Sequence, residues 1–165
     1  MKQFLAVAAL NEAVKKHCDT RRDVKIYTEG FKAVQHEAME FSVMCDGELY
    51  QLEKLHEELR QAGFPNPSSM EEAVLYAYLL WGEKAMEHME GAYSFIIRKG
   101  DSLFCAKDPL GLRPIYYLIK DNCIWISCRI QPLLDASDTP AVLNREGLLE
   151  LFAFGPSISE NQTLY

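Results

Sequence analysis

The side chains most able to do nucleophilic or metal chemistry are the cysteines and histidines, and their spacing favours neither. The five cysteines include no CxxC pair, which argues against a zinc site and against a complete set of disulfides. The four histidines are scattered, with no two at the spacing of metal ligands, so we expect them on the surface or on helix faces. The sequence therefore predicts no metal site, and its cysteine usage is typical of a reducing compartment, the cytoplasm.

The stretch MCDGELYQ, residues 44–51, holds a second group that could do chemistry. Its Gly-Glu pair stands between an apolar run and an amphipathic run, which is typical of a backbone turn that presents a carboxylate. Glu48 in such a turn could bind the amine of a ligand, or it could be a carboxylate favoured by the dipole of a helix that follows. Cys45 beside it follows an apolar run and is expected to be a small buried residue.

The elements around this stretch follow from the spacing of apolar residues. Residues 4–10 predict a buried strand, and the polar residues 11–23 predict a turn or a short helix. The stretches VKIYTEGFKAV and MEFSVMC predict two strands, with a bend or bulge at Gly30. Leucines that recur every three or four residues predict an amphipathic helix over 49–62, which Gly63 ends.

The second half of the chain begins with a helix and continues with strands. Ser69, with Glu72 three residues later, predicts a capping box at the start of a helix that Gly82 interrupts or ends. The period then changes to two, and the stretches AYSFIIR with SLFCAKD and IYYLI with CIWIS predict two β-hairpins. A last helix is predicted between Asn144 and Gly155. This order favours two stacked sheets with helices outside them.

Length and charge exclude several classes of partner. The chain has 165 residues, which suits one domain, and it carries a net charge of −7 with a pI of about 5.1. An acidic chain does not favour nucleic acid or a membrane surface, since both select basic patches. No apolar run approaches the ~20 residues that span a bilayer, and we interpret MKQFLAVAAL as a first strand instead of a signal peptide.

Four blocks of sequence stand in order along the chain: DGELY at 46–50, YAYLLWG and MEGAYSFII within 76–97, KDPLGLRPIYY at 107–117, and LLELFAFGPSISENQTLY at the end. Together they resemble the N-terminal glutaminase domain of asparagine synthetases, a class II glutamine amidotransferase domain of the N-terminal-nucleophile hydrolase type. The resemblance covers about residues 42–165 and, more weakly, the first ten. It implies an α+β fold, a four-layer α/β/β/α sandwich of two stacked antiparallel sheets. We expect residues 1–165 to form one such domain, followed by a synthetase domain beyond this chain.

The resemblance also implies a reaction with defined chemical requirements. In that family an N-terminal cysteine attacks the side-chain amide of glutamine and releases ammonia, and the chain's own α-amino group serves as the base. An Asn side chain and the backbone N–H of the next Gly, in an Asn-Gly-Glu motif, form the oxyanion hole. An acidic residue holds the amino group of the substrate, and an arginine holds its carboxylate.

Several positions that would run this reaction carry other residue types here. The nucleophile's position, directly after the initiator Met, is Lys2, whose amine is protonated near neutral pH unless strongly desolvated. The oxyanion Asn falls on Asp46, which offers only acceptors when it is ionised. The substrate-holding acid falls on Met70, while Gly47 and Glu48 match the family motif. The resemblance therefore implies a degenerate glutamine pocket formed by these five residues, with no catalytic residue and no metal assigned.

The residues that do match the family are expected to build the fold. They are Gly47, Gly91, Asp108, Gly111, Pro114, Tyr116 and Tyr117. Of these, Asp108 and Gly111 are expected to fix a turn between the hairpins rather than touch a substrate.

The leading interpretation is the amidotransferase-like domain of an asparagine synthetase-type protein, in which the glutaminase activity has been lost. The family amidates aspartate with ATP and takes nitrogen from glutamine. The alternatives are the N-terminal domain of a β-lactam synthetase-like ring-closing enzyme, whose relatives lack the cysteine, and a non-catalytic structural or dimerisation domain. The expected partner is a C-terminal synthetase domain or a second copy of the chain, with glutamine as a candidate ligand and no nucleic acid or membrane. No cofactor is expected in this domain, because ATP and magnesium belong to the synthetase domain.

Overall fold

Two antiparallel sheets and four α-helices make up the part of the chain that the computed structural model describes, residues 5–9, 32–36, 39–100, 102–121 and 123–155. The strands are β1 (Leu5–Ala9), β2 (Lys32–His36), β3 (Met39–Tyr50), β4 (Glu90–Lys99), β5 (Ser102–Lys107), β6 (Tyr116–Lys120) and β7 (Cys123–Ser127). The helices are α1 (Leu52–Gln61), α2 (Met70–Trp81), a 3-10 helix (Gly82–His88), α3 (Ile130–Ser137) and α4 (Arg145–Phe154). None of these helices is long and apolar enough to cross a membrane.

The two sheets have simple orders and antiparallel pairing throughout. One sheet has the order β2-β3-β4-β5, and the other has the order β1-β7-β6. The long strand β3 pairs with β4 over nine positions, from Ser42 opposite Arg98 to Tyr50 opposite Glu90. β3 and β4 are therefore the frame of the larger sheet, and any residue on them has its cross-strand neighbour fixed by this register.

The side chains of β3 and β4 alternate between two cores, as a pleated strand requires. Residues at odd positions, such as Phe41 and Phe95, join a core with apolar residues of α1 and α2. Met44 and Ile96, at even positions, instead join Ile126 of β7 and neighbours from the second sheet. The larger sheet is thus covered by helices on one face and by the smaller sheet on the other.

The smaller sheet carries the fourth layer on its outer face. Cys123 and Trp125 of β7 pack with Leu133 of α3. Ile126 of the same strand lies on the opposite face and packs with Met44 and Ile96 of the larger sheet. The layer order is helix, sheet, sheet, helix. The predicted α/β/β/α sandwich of stacked antiparallel sheets is confirmed.

Most of the predicted elements are confirmed close to their expected positions. Both hairpins form, β4 with β5 and β6 with β7. The Oγ atom of Ser69 accepts a hydrogen bond from the backbone N–H of Glu72 at 3.3 Å, so Ser69 caps α2 as predicted. The carboxylate of Glu72 turns to Ser68 instead of Ser69, accepting from its N–H at 2.7 Å. Asn144 caps α4, and Gly155 follows its end.

The prediction for residues 46–50 is wrong, because DGELY continues strand β3 instead of forming a turn. The helix expected over 49–62 begins only at Leu52, with Gln51 as its N-cap. Leu49 has the spacing of a helix face, but it is a buried residue of the strand and joins the core under α1 and α2. The predicted turn or helix at 11–23 and the bend at Gly30 lie outside the described residues.

Candidate functional site

Three of the predicted pocket residues are consecutive in β3. Asp46, Gly47 and Glu48 lie opposite Ser94, Tyr93 and Ala92 of β4. Asp46 is buried, with 5% of its surface exposed, whereas Glu48 is exposed. Because Glu48 lies in a strand, the expectation that it is a carboxylate at a helix N-terminus is wrong.

Gly47 is required by the close approach of β3 and β4. Its φ of 111° is one that L side chains rarely adopt, and a β-carbon there would lie 3.0 Å from Cα of Tyr93 and closer still to the carbonyl oxygen of Ala92. Gly91 on β4 has the same constraint from the other strand, since a β-carbon on it would lie 2.9 Å from Cα of Leu49 on β3. The close packing of β3 and β4 therefore requires a glycine at position 47, whether or not the site is catalytic.

Asp46 lies on the face of β3 that is turned to the second sheet. It has the parity of Met44, which packs with Ile96 and Ile126 between the sheets. No described residue donates a hydrogen bond to its carboxylate. Its cross-strand neighbour Ser94 is fully buried, and the Oγ atom of that serine has no hydrogen-bond partner among the residues that the structure describes. The position expected to hold an oxyanion donor thus holds a buried acceptor.

Met70 and Lys2 complete the set of predicted pocket residues. Met70 is the first residue of α2 and packs against the core between the helices and the larger sheet. That core lies on the opposite face of β3 from Asp46, so the structure does not bring the two side chains onto one face. The neighbouring Glu71 is buried in the first turn of α2. Lys2 lies outside the described residues.

Comparison with known proteins identifies the family to which this chain belongs. A family model described as a glutamine amidotransferase domain matches residues 15–165. The chain belongs to the glutamine amidotransferase domain family. The match begins earlier than the resemblance seen in the sequence motifs, so residues 15–41 are also part of the family's pattern.

The amidotransferase domain is similar to asparagine synthetases over most of its length. It is 33% identical over 120 residues to asparagine synthetase (glutamine-hydrolysing) 3 of Bacillus subtilis, covering 71% of this chain and 20% of that protein. It is 27% identical over 128 residues to asparagine synthetase 1 of the same organism, covering 76% and 20%. The chain spans about a fifth of the length of these relatives. The predicted resemblance to the glutaminase domain of asparagine synthetases is confirmed.

Solved structures confirm the fold of the amidotransferase domain. The glutamine phosphoribosylpyrophosphate amidotransferase of B. subtilis superposes with a TM-score of 0.55 at 19% sequence identity. The match covers 66% of this chain and 26% of that chain. At this identity the likeness shows the sandwich architecture and leaves the chemistry to be argued from the residues.

Asp108 in the block KDPLGLR is a structural residue of the amidotransferase domain. Its two carboxylate oxygens accept hydrogen bonds from the backbone N–H groups of Leu112 and Arg113, each at 3.0 Å. Burial works against its charged form, but the backbone hydrogen bonds outweigh burial and hold the pKa of Asp108 below its usual value. The N–H of Gly111 donates to the carbonyl of Asp108 at 3.0 Å, which closes the turn. The predicted role of Asp108 and Gly111 in fixing a turn is confirmed.

The cysteines of the described residues give no catalytic cluster. Cys45 and Cys128 are buried and form no disulfide, and Cys45 packs in the core beneath the helices, as predicted. Cys123 is disulfide-bonded. The cysteine usage in the sequence had indicated reduced thiols, so this bond was not expected. Within the residues that the structure describes, no group of three His, Cys, Asp or Glu side chains is placed to hold a metal ion.

Sequence reasoning missed Ser94 as a member of the site. Ser94 interrupts the apolar run AYSFII, and a polar residue at a core position of a strand is a signal that could have been read. What the sequence alone did not provide was its partner, because Asp46 lies 48 positions earlier and is brought opposite only by the β3–β4 register.

Proposed function

We propose that this chain is the amidotransferase-like domain of an asparagine synthetase-type protein, and that its glutaminase activity has been lost. The observation that carries the proposal is the buried carboxylate of Asp46 at the position of the family's oxyanion-hole asparagine. An ionised carboxylate offers no hydrogen-bond donor, so it repels the developing oxyanion instead of stabilising it. Loss of one such donor lowers the rate by about 10²–10³.

Two further substitutions support the same proposal. The nucleophile position holds Lys2, and a protonated amine cannot attack an amide. The substrate-holding position at the head of α2 holds the apolar Met70, which packs into the helix-side core. These changes affect nucleophile, oxyanion hole and substrate binding separately, and each would slow or abolish glutamine hydrolysis.

The whole protein is proposed to carry a synthetase domain that continues from this chain. Its similarity to asparagine synthetases, of which it spans about a fifth, supports that organisation. ATP and magnesium would be bound there, and aspartate would be amidated with free ammonia in place of glutamine nitrogen. The proposed location is the cytoplasm, where the disulfide at Cys123 would be an exception to the usual reduced state of thiols. A β-lactam synthetase-like protein is the alternative in which the following domain closes a ring and needs no ammonia.

A dimerisation or docking role is a second candidate, favoured by one surface. Leu149 and Phe152 of α4 expose 60% and 82% of their surfaces, and Val142 and Leu143 just before the helix are also exposed. Leu149 and Phe152 are three positions apart and therefore lie on one side of α4. Exposed apolar side chains that share a helix face are typical of a surface that packs against another domain or chain. This role is compatible with a lost glutaminase activity.

Glutamate release from glutamine by the purified 165-residue chain tests the proposal. We expect no turnover above buffer. Cys18 is the cysteine nearest to the start of the chain, so the Cys18→Ala variant is the control for a nucleophilic thiol other than the one missing at position 2. A second arm restores the family's nucleophile and oxyanion donor in a single variant, Lys2→Cys with Asp46→Asn. Turnover by the unsubstituted chain would overturn the loss of activity. Turnover that appears only in the restored variant would support it directly.

A further inference from the structure

Asp46 and Ser94 are a polar pair inside an otherwise apolar layer. They are cross-strand partners on β3 and β4, and they share the face of Met44 and Ile96 between the two sheets. Directly opposite residues of an antiparallel pair have β-carbons about 4.5–5.5 Å apart, so both side chains can reach one small group. Asp46 exposes 5% of its surface, and Ser94 exposes none.

Neither side chain of this pair has its hydrogen bonds satisfied within the described part of the chain. Among the described residues, the Oγ atom of Ser94 is buried without a hydrogen-bond partner. No described residue donates to the carboxylate of Asp46, which keeps a small contact with solvent because 5% of the residue is exposed. A fully buried hydroxyl without a partner is unfavourable, and a carboxylate on a residue that is only 5% exposed loses most of the water that would otherwise solvate it. Groups of this kind mark a place where something else supplies the missing hydrogen bonds.

The chemistry of the pair selects the missing group. An anion would be repelled by Asp46, and an apolar group would leave both side chains unpaired. A cationic amine carries several N–H donors and a positive charge, so it can donate to the carboxylate and to the serine hydroxyl together. Glu48, two residues further along β3, is exposed and adds a second carboxylate at the end of this face.

We infer that Asp46 and Ser94 form a binding site for the cationic amine of a small ligand. The inference rests on the proposed function, because a working oxyanion hole at Asp46 would exclude it. The amine could be a free ammonium ion or the α-ammonium group of an amino acid, and both have the same donor chemistry. Substitution of the oxyanion donor by a carboxylate thus converts a position that stabilised negative charge into one that holds positive charge.

The test is a binding titration of the 165-residue chain, followed by backbone amide shifts in NMR. Methylammonium chloride represents the free cation, L-glutamine represents the amino acid, and glutarate is the anionic control. The variants are Asp46→Asn and Ser94→Ala. Glu53→Gln is the matched control, since it removes the same charge from an exposed position in the first turn of α1.

The expected result is saturable binding of methylammonium that shifts the amides around residues 46 and 94. Asp46→Asn should weaken it about tenfold or more, Ser94→Ala by less, and Glu53→Gln should leave it unchanged. If glutamine competes with methylammonium, the amine belongs to an amino acid. If glutamine does not compete, the ligand is the free cation. Absence of saturable methylammonium binding, equal binding of glutarate, or an unchanged Asp46→Asn variant would each overturn the inference.

Glutamate release measured on the same samples separates this inference from the proposed function. No hydrolysis together with no amine binding would overturn the amine site and leave the loss of activity standing. Hydrolysis by the unsubstituted chain would overturn the proposed function and with it the premise of the site. As a second readout, Asp46→Asn should unfold at a higher temperature than the unsubstituted chain without ligand, and methylammonium should narrow that difference. If Asp46→Asn unfolded at a lower temperature than the unsubstituted chain, the carboxylate of Asp46 would have a favourable partner in the folded chain, which would contradict the inference.

Discussion

Gly47 on β3 lies so close to Ala92 on β4 that no side chain fits between them. A β-carbon on Gly47 would overlap the carbonyl oxygen of Ala92, and the φ of Gly47, 111°, is one that L residues rarely adopt. The glycine beside Asp46 therefore fixes the distance between the two strands that carry the candidate site.

Substitution of Gly47 by alanine should destabilise the domain by about 3 kcal/mol or more, because backbone strain and overlap with β4 add together. Gly63→Ala is the matched control. Gly63 has a φ of 90°, but a β-carbon there meets nothing within 4 Å, so only the backbone strain of about 1 kcal/mol should appear. Urea unfolding of both variants measures the difference. Equal losses would show that the close approach to Ala92 is unimportant.

Asp108→Asn should destabilise the domain by about 2 kcal/mol near neutral pH, because a charged acceptor of two backbone N–H groups is replaced by a neutral one. Since the folded pKa of Asp108 is lowered, its contribution is present above the unfolded pKa of about 3.9 and is lost as the pH falls through the lower folded value. The stability difference between the two proteins should therefore shrink in acid.

Urea unfolding of this pair at several pH values from neutral to strongly acid measures that change. Asp135→Asn is the control, since Asp135 is exposed on α3 and accepts from the side chain of Gln131. A stability difference that stays constant with pH would contradict a pKa held down by the folded turn.

Tyr93→Phe should leave stability unchanged or raise it by about 1 kcal/mol. The hydroxyl of Tyr93 is buried with no hydrogen-bond partner among the described residues, so its removal relieves an unpaired polar atom. Tyr93→Leu is the comparison, because it also removes the ring that lies 6.0 Å from the ring of Phe95 and should destabilise by about 2 kcal/mol. Thermal unfolding distinguishes the two. Similar losses in both variants would mean that the hydroxyl does have a favourable partner.

Ser69→Ala should cost about 1 kcal/mol, since the Oγ atom of Ser69 caps the first turn of α2. Asn144→Ala offers a parallel test, because Asn144 caps α4 through the N–H of Glu146 at 3.1 Å. Chemical unfolding with a helix-sensitive signal measures both. The loss at Ser69 should be the larger one, because α2 is buried in the main core and the described face of α4 is largely exposed. The reverse order would contradict this view of the two helices.

Local patterns in the sequence determined much of the fold. The change of period after Gly82 located both hairpins, and Ser69 and Asn144 located the starts of two helices, because caps and alternation depend only on neighbours a few positions away. The turn at Asp108 was predicted for the same reason. The order of the four sequence blocks was sufficient to indicate the amidotransferase family, which the comparison confirmed.

Tertiary structure decided the part that matters for chemistry. Residues 46–50 belong to a strand because β4 supplies their backbone partners and because Gly47 and Gly91 allow the close approach, neither of which is visible in the local pattern. The same register sets Ser94 opposite Asp46 and buries both between the sheets. A sequence specifies which residues prefer a strand, but which strands pair and which side chains then face each other depends on contacts between distant segments.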